Sequence, residues 1–82
     1  MKAEFTKEAV KTLKSMDGKM KQRIRSAIEK IPQGDIKPLE GSGTLYRVRV
    51  GGMRVVFSYE SDDTILIYRI APRGDVYKGG LL

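Results

Sequence analysis

The stretch from Leu45 to Phe57 constrains the fold most, because it consists of two short alternating segments joined by Gly51-Gly52. A Gly-Gly dipeptide between alternating apolar residues is a strong signal for a β-hairpin. With a two-residue turn, one face of the hairpin carries three apolar cross-strand pairs, which are Val50 with Met53, Val48 with Val55, and Tyr46 with Phe57. The pattern therefore predicts a hairpin with one face that packs on a core.

The opposite face of the hairpin carries arginines. The same register places Arg49 directly opposite Arg54, with Arg47 two residues away on the same side. Like charges directly opposite each other across two strands destabilise a sheet. Arginines on strands often only cover the solvent-exposed face of a sheet, where they pair with nearby acidic residues. The hairpin supplies no acidic residue on this face. A cluster of cations beside a core-forming face thus favours binding of a polyanion.

Composition narrows the classes of function. The chain has 82 residues, which predicts a single domain over residues 1–82. It contains neither cysteine nor histidine, so disulfides, thiolate metal sites and the usual proton shuttle near neutral pH are excluded. We expect no metal and no cofactor. The net charge of +6 fits nucleic acid, an acidic protein partner or plain solubility.

Hydropathy gives no sign of a membrane protein. No apolar run approaches the roughly 20 residues that a helix needs to span a bilayer, and no signal peptide is visible. We therefore expect no membrane partner and a cytoplasmic location.

The N-terminal third predicts a short strand and two helices. Lys2 to Phe5 fits a first strand, Thr6 fits the N-cap of a first helix, and Asp17 fits the N-cap of a second helix that ends before Pro32. Apolar residues recur at helical spacing in both segments, as expected for a helical hairpin with one buried stripe.

The remainder predicts an antiparallel meander. Residues 32–44 are rich in proline and glycine and indicate a long irregular connection. The second hairpin strand extends to Tyr59, and Thr64 to Ile70 fits a third, more central strand that Pro72 stops. The predicted fold class is α+β, with an N-terminal helical hairpin packed on a small, mainly antiparallel, twisted sheet.

Two residues beyond the last strand extend the basic cluster. Arg73 follows that strand directly, and Tyr77 lies four residues further. If the last strand lies beside the hairpin, its end brings both residues near the arginine row. A guanidinium group can make bidentate hydrogen bonds to two phosphate oxygens, and a tyrosine ring can stack on an unstacked base of a single strand. The combination suits recognition of a phosphodiester in single-stranded RNA.

The order of these segments resembles the RelE/ParE superfamily of bacterial toxin–antitoxin systems, and its RelE-like branch in particular. The resemblance covers almost the whole chain. It is carried by Leu39-Glu40-Gly41, by the two hairpin segments Leu45–Val50 and Met53–Phe57, and by the ending from Ile67 to Tyr77. This ending is similar to that of the family, which consists of an arginine, two variable residues, a valine and a tyrosine.

The resemblance implies a RelE-like toxin domain that acts as a ribosome-dependent endoribonuclease on mRNA. The ribose 2′-hydroxyl would attack the adjacent phosphate, and the 5′-oxygen would leave. By position, Arg47 and Arg49 match the basic pair that binds RNA, and Arg54 matches the basic residue after the turn. Arg73 matches the arginine that stabilises the transition-state phosphate, and Tyr77 matches the tyrosine that orients the substrate. The implied partners are a cognate antitoxin, the ribosome and mRNA.

The sequence departs from the family pattern in its proton-transfer groups. Some members have lysine where Arg47 and Arg49 stand, and many have histidine where Pro72 stands. An arginine does not shed its proton, so no general base is identifiable. Catalysis would then rest on positioning and on electrostatic stabilisation of the pentavalent phosphate, without a metal.

Two alternatives remain open at the level of sequence. One is a ParE-like inhibitor that binds DNA gyrase and cuts no RNA, because the two branches share a fold and a fold does not decide function. The other is a non-catalytic module that binds an antitoxin and acts only as a corepressor. The arginines together with Tyr77 favour cleavage of RNA.

Overall fold

The computed structural model describes residues 1–72, which form two helices and five strands. In chain order the elements are β1 (Lys2–Phe5), α1 (Lys7–Ser15), α2 (Gly18–Lys30), β2 (Ile36–Pro38), β3 (Tyr46–Val50), β4 (Met53–Tyr59) and β5 (Thr64–Pro72). The predictions that fall on residues 73–82, including those for Arg73 and Tyr77, lie outside the described residues.

The strands form one sheet in the order β1-β5-β4-β3-β2. The pairing of β1 with β5 is parallel and the other three pairings are antiparallel. The main core is built by apolar side chains of both helices and of the central strands, such as Ile24, Val55, Phe57 and Ile67. The predicted α+β fold is thus confirmed, and β5 is an interior strand between β1 and β4, in line with the prediction of a third, more central strand.

Side-chain caps begin both helices at the predicted residues. The Thr6 hydroxyl accepts a hydrogen bond from the Ala9 amide at 3.1 Å, and an Asp17 carboxylate oxygen accepts one from the Met20 amide at 2.8 Å. These bonds satisfy amides that have no partner within the helix. Neither helix in residues 1–72 is long and apolar enough to cross a membrane.

The β3–β4 hairpin has the predicted register. Val50 pairs with Met53 and Arg49 with Arg54, so the turn contains only Gly51 and Gly52. Gly51 has a φ of 60°, and Gly52 has no positive φ. A positive φ at only the first central residue is the pattern of a type II′ turn, for which glycine is the favoured residue.

The connection over residues 32–44 is more ordered than the sequence predicts. Ile36–Pro38 forms the edge strand β2, which pairs antiparallel with β3. Proline cannot donate a backbone hydrogen bond, but Pro38 is tolerated because β2 lies at the sheet edge. The three-residue strand lacks a long alternating pattern, so its formation depends on the neighbouring strand and not on local sequence.

The second face of the sheet is partly apolar. Leu39, Leu45, Val56 and Ala71 form a buried cluster, and the half-buried Tyr68 packs against it. Tyr68 is the extra residue where the β4–β5 register shifts, since Val56 pairs with Arg69 and Phe57 pairs with Ile67. The arginine face of the hairpin therefore continues into a second, smaller core.

We expect Thr6 to stabilise the fold through two bonds. Its hydroxyl accepts from the Ala9 amide and donates to the Tyr68 carbonyl at 2.8 Å, which ties the start of α1 to β5. Thr6→Ala should lower the free energy of unfolding by about 1–2 kcal/mol, because it removes both bonds. Urea denaturation measures the change. Thr6→Ser keeps the hydroxyl and is the control; equal losses in both variants would contradict the assignment.

Candidate nucleic-acid interface

The structure brings Arg49 and Arg54 together as the sequence predicts. The two residues are directly paired across β3 and β4. The Arg49 side chain is 42% exposed, whereas Arg54 as a residue is only 4% exposed. Arg54 lies on the interior strand β4 and also pairs with Ala71 of β5. Arg49 is therefore the member of the pair that solvent and an incoming anion reach directly.

Arg47 is buried and bound within the protein. It is 5% exposed, and its Nη1 donates to the Asp35 carbonyl oxygen at 2.8 Å and to Asp35 Oδ1 at 3.2 Å. A buried guanidinium needs such partners, because an uncompensated buried charge is strongly destabilising. In this structure Arg47 thus fixes the connection before β2 onto β3, and it does not present its guanidinium to solvent.

Asp35 joins the two arginines of β3. Its carbonyl oxygen also accepts a hydrogen bond from the Arg49 amide at 3.2 Å, and its Oδ2 lies 3.8 Å from Arg49 Nε. The hydrogen bond from Arg47 lowers the pKa of the Asp35 carboxyl, and the charges of Arg47, Arg49 and Lys37 lower it further against an opposing effect of desolvation. The carboxylate therefore stays ionised and holds Arg49 near Arg47.

The end of β5 lies beside the arginine pair. Pro72 pairs with Met53, and Ala71 pairs with Arg54. The chain thus reaches the arginine end of the hairpin immediately before Arg73 in the sequence. The last strand adjoins the hairpin, as a site that includes Arg73 and Tyr77 requires. The roles assigned to these two residues remain predictions.

Two residues of this region are not predicted from the sequence. Asp35 lies in the Pro/Gly-rich connection, where no periodicity links it to β3. Arg23 lies on α2, and a Cβ added at Gly51 would lie 3.2 Å from its Nη2, so its guanidinium rests on the hairpin turn. Arg23 and Lys30 are seven residues apart and thus share a face of α2, but Lys7 and Lys14 have the same spacing on α1, so the sequence carries no signal that sets this pair apart.

Comparison with known proteins identifies the family. The family model described as ParE toxin of type II toxin-antitoxin system, parDE, matches residues 3–77. The chain belongs to the RelE/ParE superfamily. Toxin RelE3 of Methanocaldococcus jannaschii is 34% identical to this toxin, over 94% of this chain and 96% of the relative.

Solved structures of RelE proteins share the fold of this toxin. The toxin–antitoxin complex of RelB and RelE from Methanococcus jannaschii contains a chain with a TM-score of 0.72 and 32% identity, which covers 90% of this chain and 94% of that chain. The archaeal RelE–RelB complex from Pyrococcus horikoshii OT3 contains a chain with a TM-score of 0.68 and 34% identity. The match covers 89% of this chain and 94% of that chain. This toxin is therefore a RelE-like component of a type II toxin–antitoxin system.

One part of the resemblance needs correction. The sequence pattern was assigned to bacterial systems, but the relatives that are at least 30% identical here are archaeal proteins. The restriction to bacteria is therefore wrong.

We expect the Asp35 carboxylate to stabilise the protein in a pH-dependent way. A carboxyl whose pKa is lowered on folding contributes stability above its unfolded value of about 3.9, and the contribution is lost as the pH falls through the folded pKa. Asp35→Asn should therefore lower the urea midpoint at pH 7, and its effect should shrink progressively as the pH falls below about 3.9. Other carboxyls, such as Asp63, whose pKa is also lowered, are the same in both proteins and cancel. A midpoint difference that does not change with pH would contradict this account.

Proposed function

We propose that this toxin is a ribosome-dependent endoribonuclease that cuts mRNA and thereby stops translation. The observation that carries the proposal is the cross-strand pair of Arg49 and Arg54, which keeps two cations opposite each other at the end of the hairpin that β5 also reaches. Like-charge pairs across strands cost stability, so a site for a phosphate is a reason to retain one. A cytoplasmic location follows from the substrate.

The proposed chemistry is an internal transesterification. The ribose 2′-oxygen bonds to the adjacent phosphorus and the bond from phosphorus to the 5′-oxygen breaks, which leaves a 2′,3′-cyclic phosphate and a 5′-hydroxyl. The 2′-hydroxyl loses a proton and the 5′-oxygen gains one, so no net proton is consumed. Negative charge accumulates on the phosphate oxygens in the transition state, where guanidinium groups give the largest benefit.

Each site residue has a distinct proposed role. Arg49 contacts the RNA backbone, since its side chain is exposed. Arg47 acts as a positioning residue through Asp35, because its guanidinium is buried and bound to that residue. Arg54 adds its charge to the site from the interior of the sheet. Arg73 is proposed to stabilise the transition-state phosphate, and Tyr77 to orient the substrate.

A second candidate function is inhibition of DNA gyrase. It is favoured by the family model, whose description names ParE. The relatives of high coverage described above carry the name RelE instead. Because one fold serves several functions, the names do not decide between the two targets. A supercoiling assay of gyrase with the purified toxin tests this candidate directly.

The proposed partner of this toxin is an antitoxin with an acidic segment. The related RelE chains were solved as complexes with RelB. The exposed cations of this chain, which carries a net charge of +6, favour a partner that neutralises them or displaces the segment after β5.

A translation extract with a defined mRNA tests the proposed cleavage. Wild-type toxin should produce cuts at in-frame codons, mapped by primer extension, that require ribosomes. Arg73→Ala should reduce the cleavage rate by on the order of a hundredfold, or about 3 kcal/mol, because it removes transition-state stabilisation. Tyr77→Phe should also weaken the cuts. Arg25→Gln, a change of one exposed charge on α2, is the control and should cut as the wild type does.

The same extract separates the candidates. Intact mRNA with continuing translation would overturn the nuclease proposal and leave the gyrase assay as the next measurement. Cleavage of free mRNA without ribosomes would keep the nuclease and overturn its ribosome dependence.

Chemical modification of arginine tests the antitoxin proposal. Phenylglyoxal should modify Arg49 in the free toxin, because its side chain is exposed, and should react poorly with the buried Arg47. In the complex with the antitoxin, mass spectrometry should find Arg49 protected. Equal modification of Arg49 in the free toxin and in the complex would contradict the proposal that the antitoxin covers this surface.

A further inference from the structure

A cleft between α2 and β3 adjoins the paired arginines of the hairpin and has Arg49 in common with them. Its volume is about 360 Å³, within the range of roughly 300–1,000 Å³ that is usual for small-molecule sites. We name it the α2–β3 cleft and define it by its polar side chains, which are Gln22, Arg23, Ser26 and Lys30 of α2, Gln33 and Asp35 of the following connection, and Arg49 of β3.

The charge of the α2–β3 cleft is positive. Arg23, Lys30 and Arg49 contribute three cations, and the lining contains one carboxylate, that of Asp35. This carboxylate is already engaged by the buried Arg47 at 3.2 Å and lies 3.8 Å from Arg49 Nε. Arg23 and Lys30 are both exposed. The cleft therefore attracts an anion and has positive charge left to neutralise it.

The guanidinium of Arg23 lies against the hairpin turn. A Cβ at Gly51 would lie 3.2 Å from Nη2, 3.3 Å from Nη1 and 3.4 Å from Cζ of Arg23. Three guanidinium atoms at nearly equal distance mean that the group lies across the turn, and a residue larger than glycine at position 51 would require it to shift. The contact places a cation of α2 beside the end of β3.

Neutral polar groups complete the α2–β3 cleft. Gln22 and Ser26 lie four residues apart on one face of α2, and Gln33 lines the cleft beyond the end of this helix. Amide and hydroxyl groups both donate and accept hydrogen bonds, as recognition of base edges and of the ribose 2′-hydroxyl requires. The cleft thus combines the groups for a phosphate with the groups for a nucleoside.

We propose that the α2–β3 cleft binds a nucleotide of single-stranded RNA that lies outside the phosphate to be cut. Arg23 and Lys30 hold its phosphate, and Ser26 and Gln33 contact its base or ribose. Arg49 lines both the cleft and the hairpin site, so one strand passes from one to the other. The inference rests on the proposed function, since the bound strand is the RNA that the site cleaves.

Binding of RNA without ribosomes tests the α2–β3 cleft. The probe is a fluorescein-labelled single-stranded RNA of mixed sequence, about 12 nucleotides long, whose anisotropy is followed during titration with toxin. Arg23→Gln and Lys30→Gln should each weaken binding at least about fivefold. Each should also make the salt dependence shallower, by about 0.7 in logarithmic slope for every phosphate that the variant no longer neutralises.

Arg25→Gln is the matched control. Arg25 is an exposed arginine two positions from Arg23, but it lines a different groove, between α1 and α2, with Phe5 and Leu13. This variant has the same net charge as Arg23→Gln and should bind the probe within about twofold of the wild type. Thermal unfolding of all variants shows whether each is folded.

The outcomes distinguish the cleft from the proposed function. If Arg23→Gln and Arg25→Gln lose affinity for the probe equally, the RNA is attracted by overall charge and the proposal for the α2–β3 cleft is overturned. The proposal is also overturned if Arg23→Gln binds the probe as tightly as the wild type does. Displacement of the probe by duplex DNA as effectively as by unlabelled RNA would also overturn it. A different result is that Arg23→Gln loses affinity for the probe, and Arg25→Gln keeps it, while the wild type cuts no mRNA in the extract. In that case RNA binding by the α2–β3 cleft is supported and the nuclease proposal fails.

Discussion

The register of the β3–β4 hairpin is the constraint on which the rest of the structure depends. The turn at Gly51 and Gly52 allows only one pairing, in which Val48 meets Val55 on the core side. A slip of one residue would exchange the two faces of a strand and would bury arginine where valine now packs. Since the same pairing puts Arg49 against Arg54, the fold cannot separate these cations without losing its core. The register that packs the core is therefore the same register that places Arg49 opposite Arg54.

The repulsion among these arginines is reduced because one of them, Arg47, is bound by an acidic residue of the same chain. Arg47 is almost fully buried, and both the carbonyl and the carboxylate of Asp35 accept its hydrogen bonds. To provide them, the connection after α2 must return to the edge of β3, and it then continues as β2 with Ile36 opposite Val48. The edge strand and the Asp35 contact thus support each other, and together they leave Arg49 at the exposed border of the sheet.

Local features of the fold could be predicted from the sequence, and features that depend on distant contacts could not. The hairpin register and the Thr6 and Asp17 caps follow from neighbouring residues and were confirmed. The Asp35–Arg47 contact spans 12 residues of an irregular connection, where no periodic pattern shows which acid will return to the strand. The contact of Arg23 with the Gly51 turn depends on how α2 crosses the sheet, and no local pattern in the sequence shows this. Alternation identified the arginine face correctly, but it could not show that Arg47 and Arg54 are buried there.

The positive charge of the chain is spread widely, but the cations that we propose for specific recognition lie at one edge of the sheet. Lysines along α1 are exposed and flexible, so each loses much rotamer freedom when it binds an anion. Arg49 and Arg23 differ from them in their surroundings, because Asp35 Oδ2 lies 3.8 Å from Arg49 Nε and the guanidinium of Arg23 lies against the Gly51 turn. Restrained guanidinium groups lose less entropy on binding and present their donors in a fixed direction. In the proposed mode of binding, a phosphate chain therefore gains most where β3, the turn and α2 converge, and the net charge mainly raises the rate of its encounter with the protein.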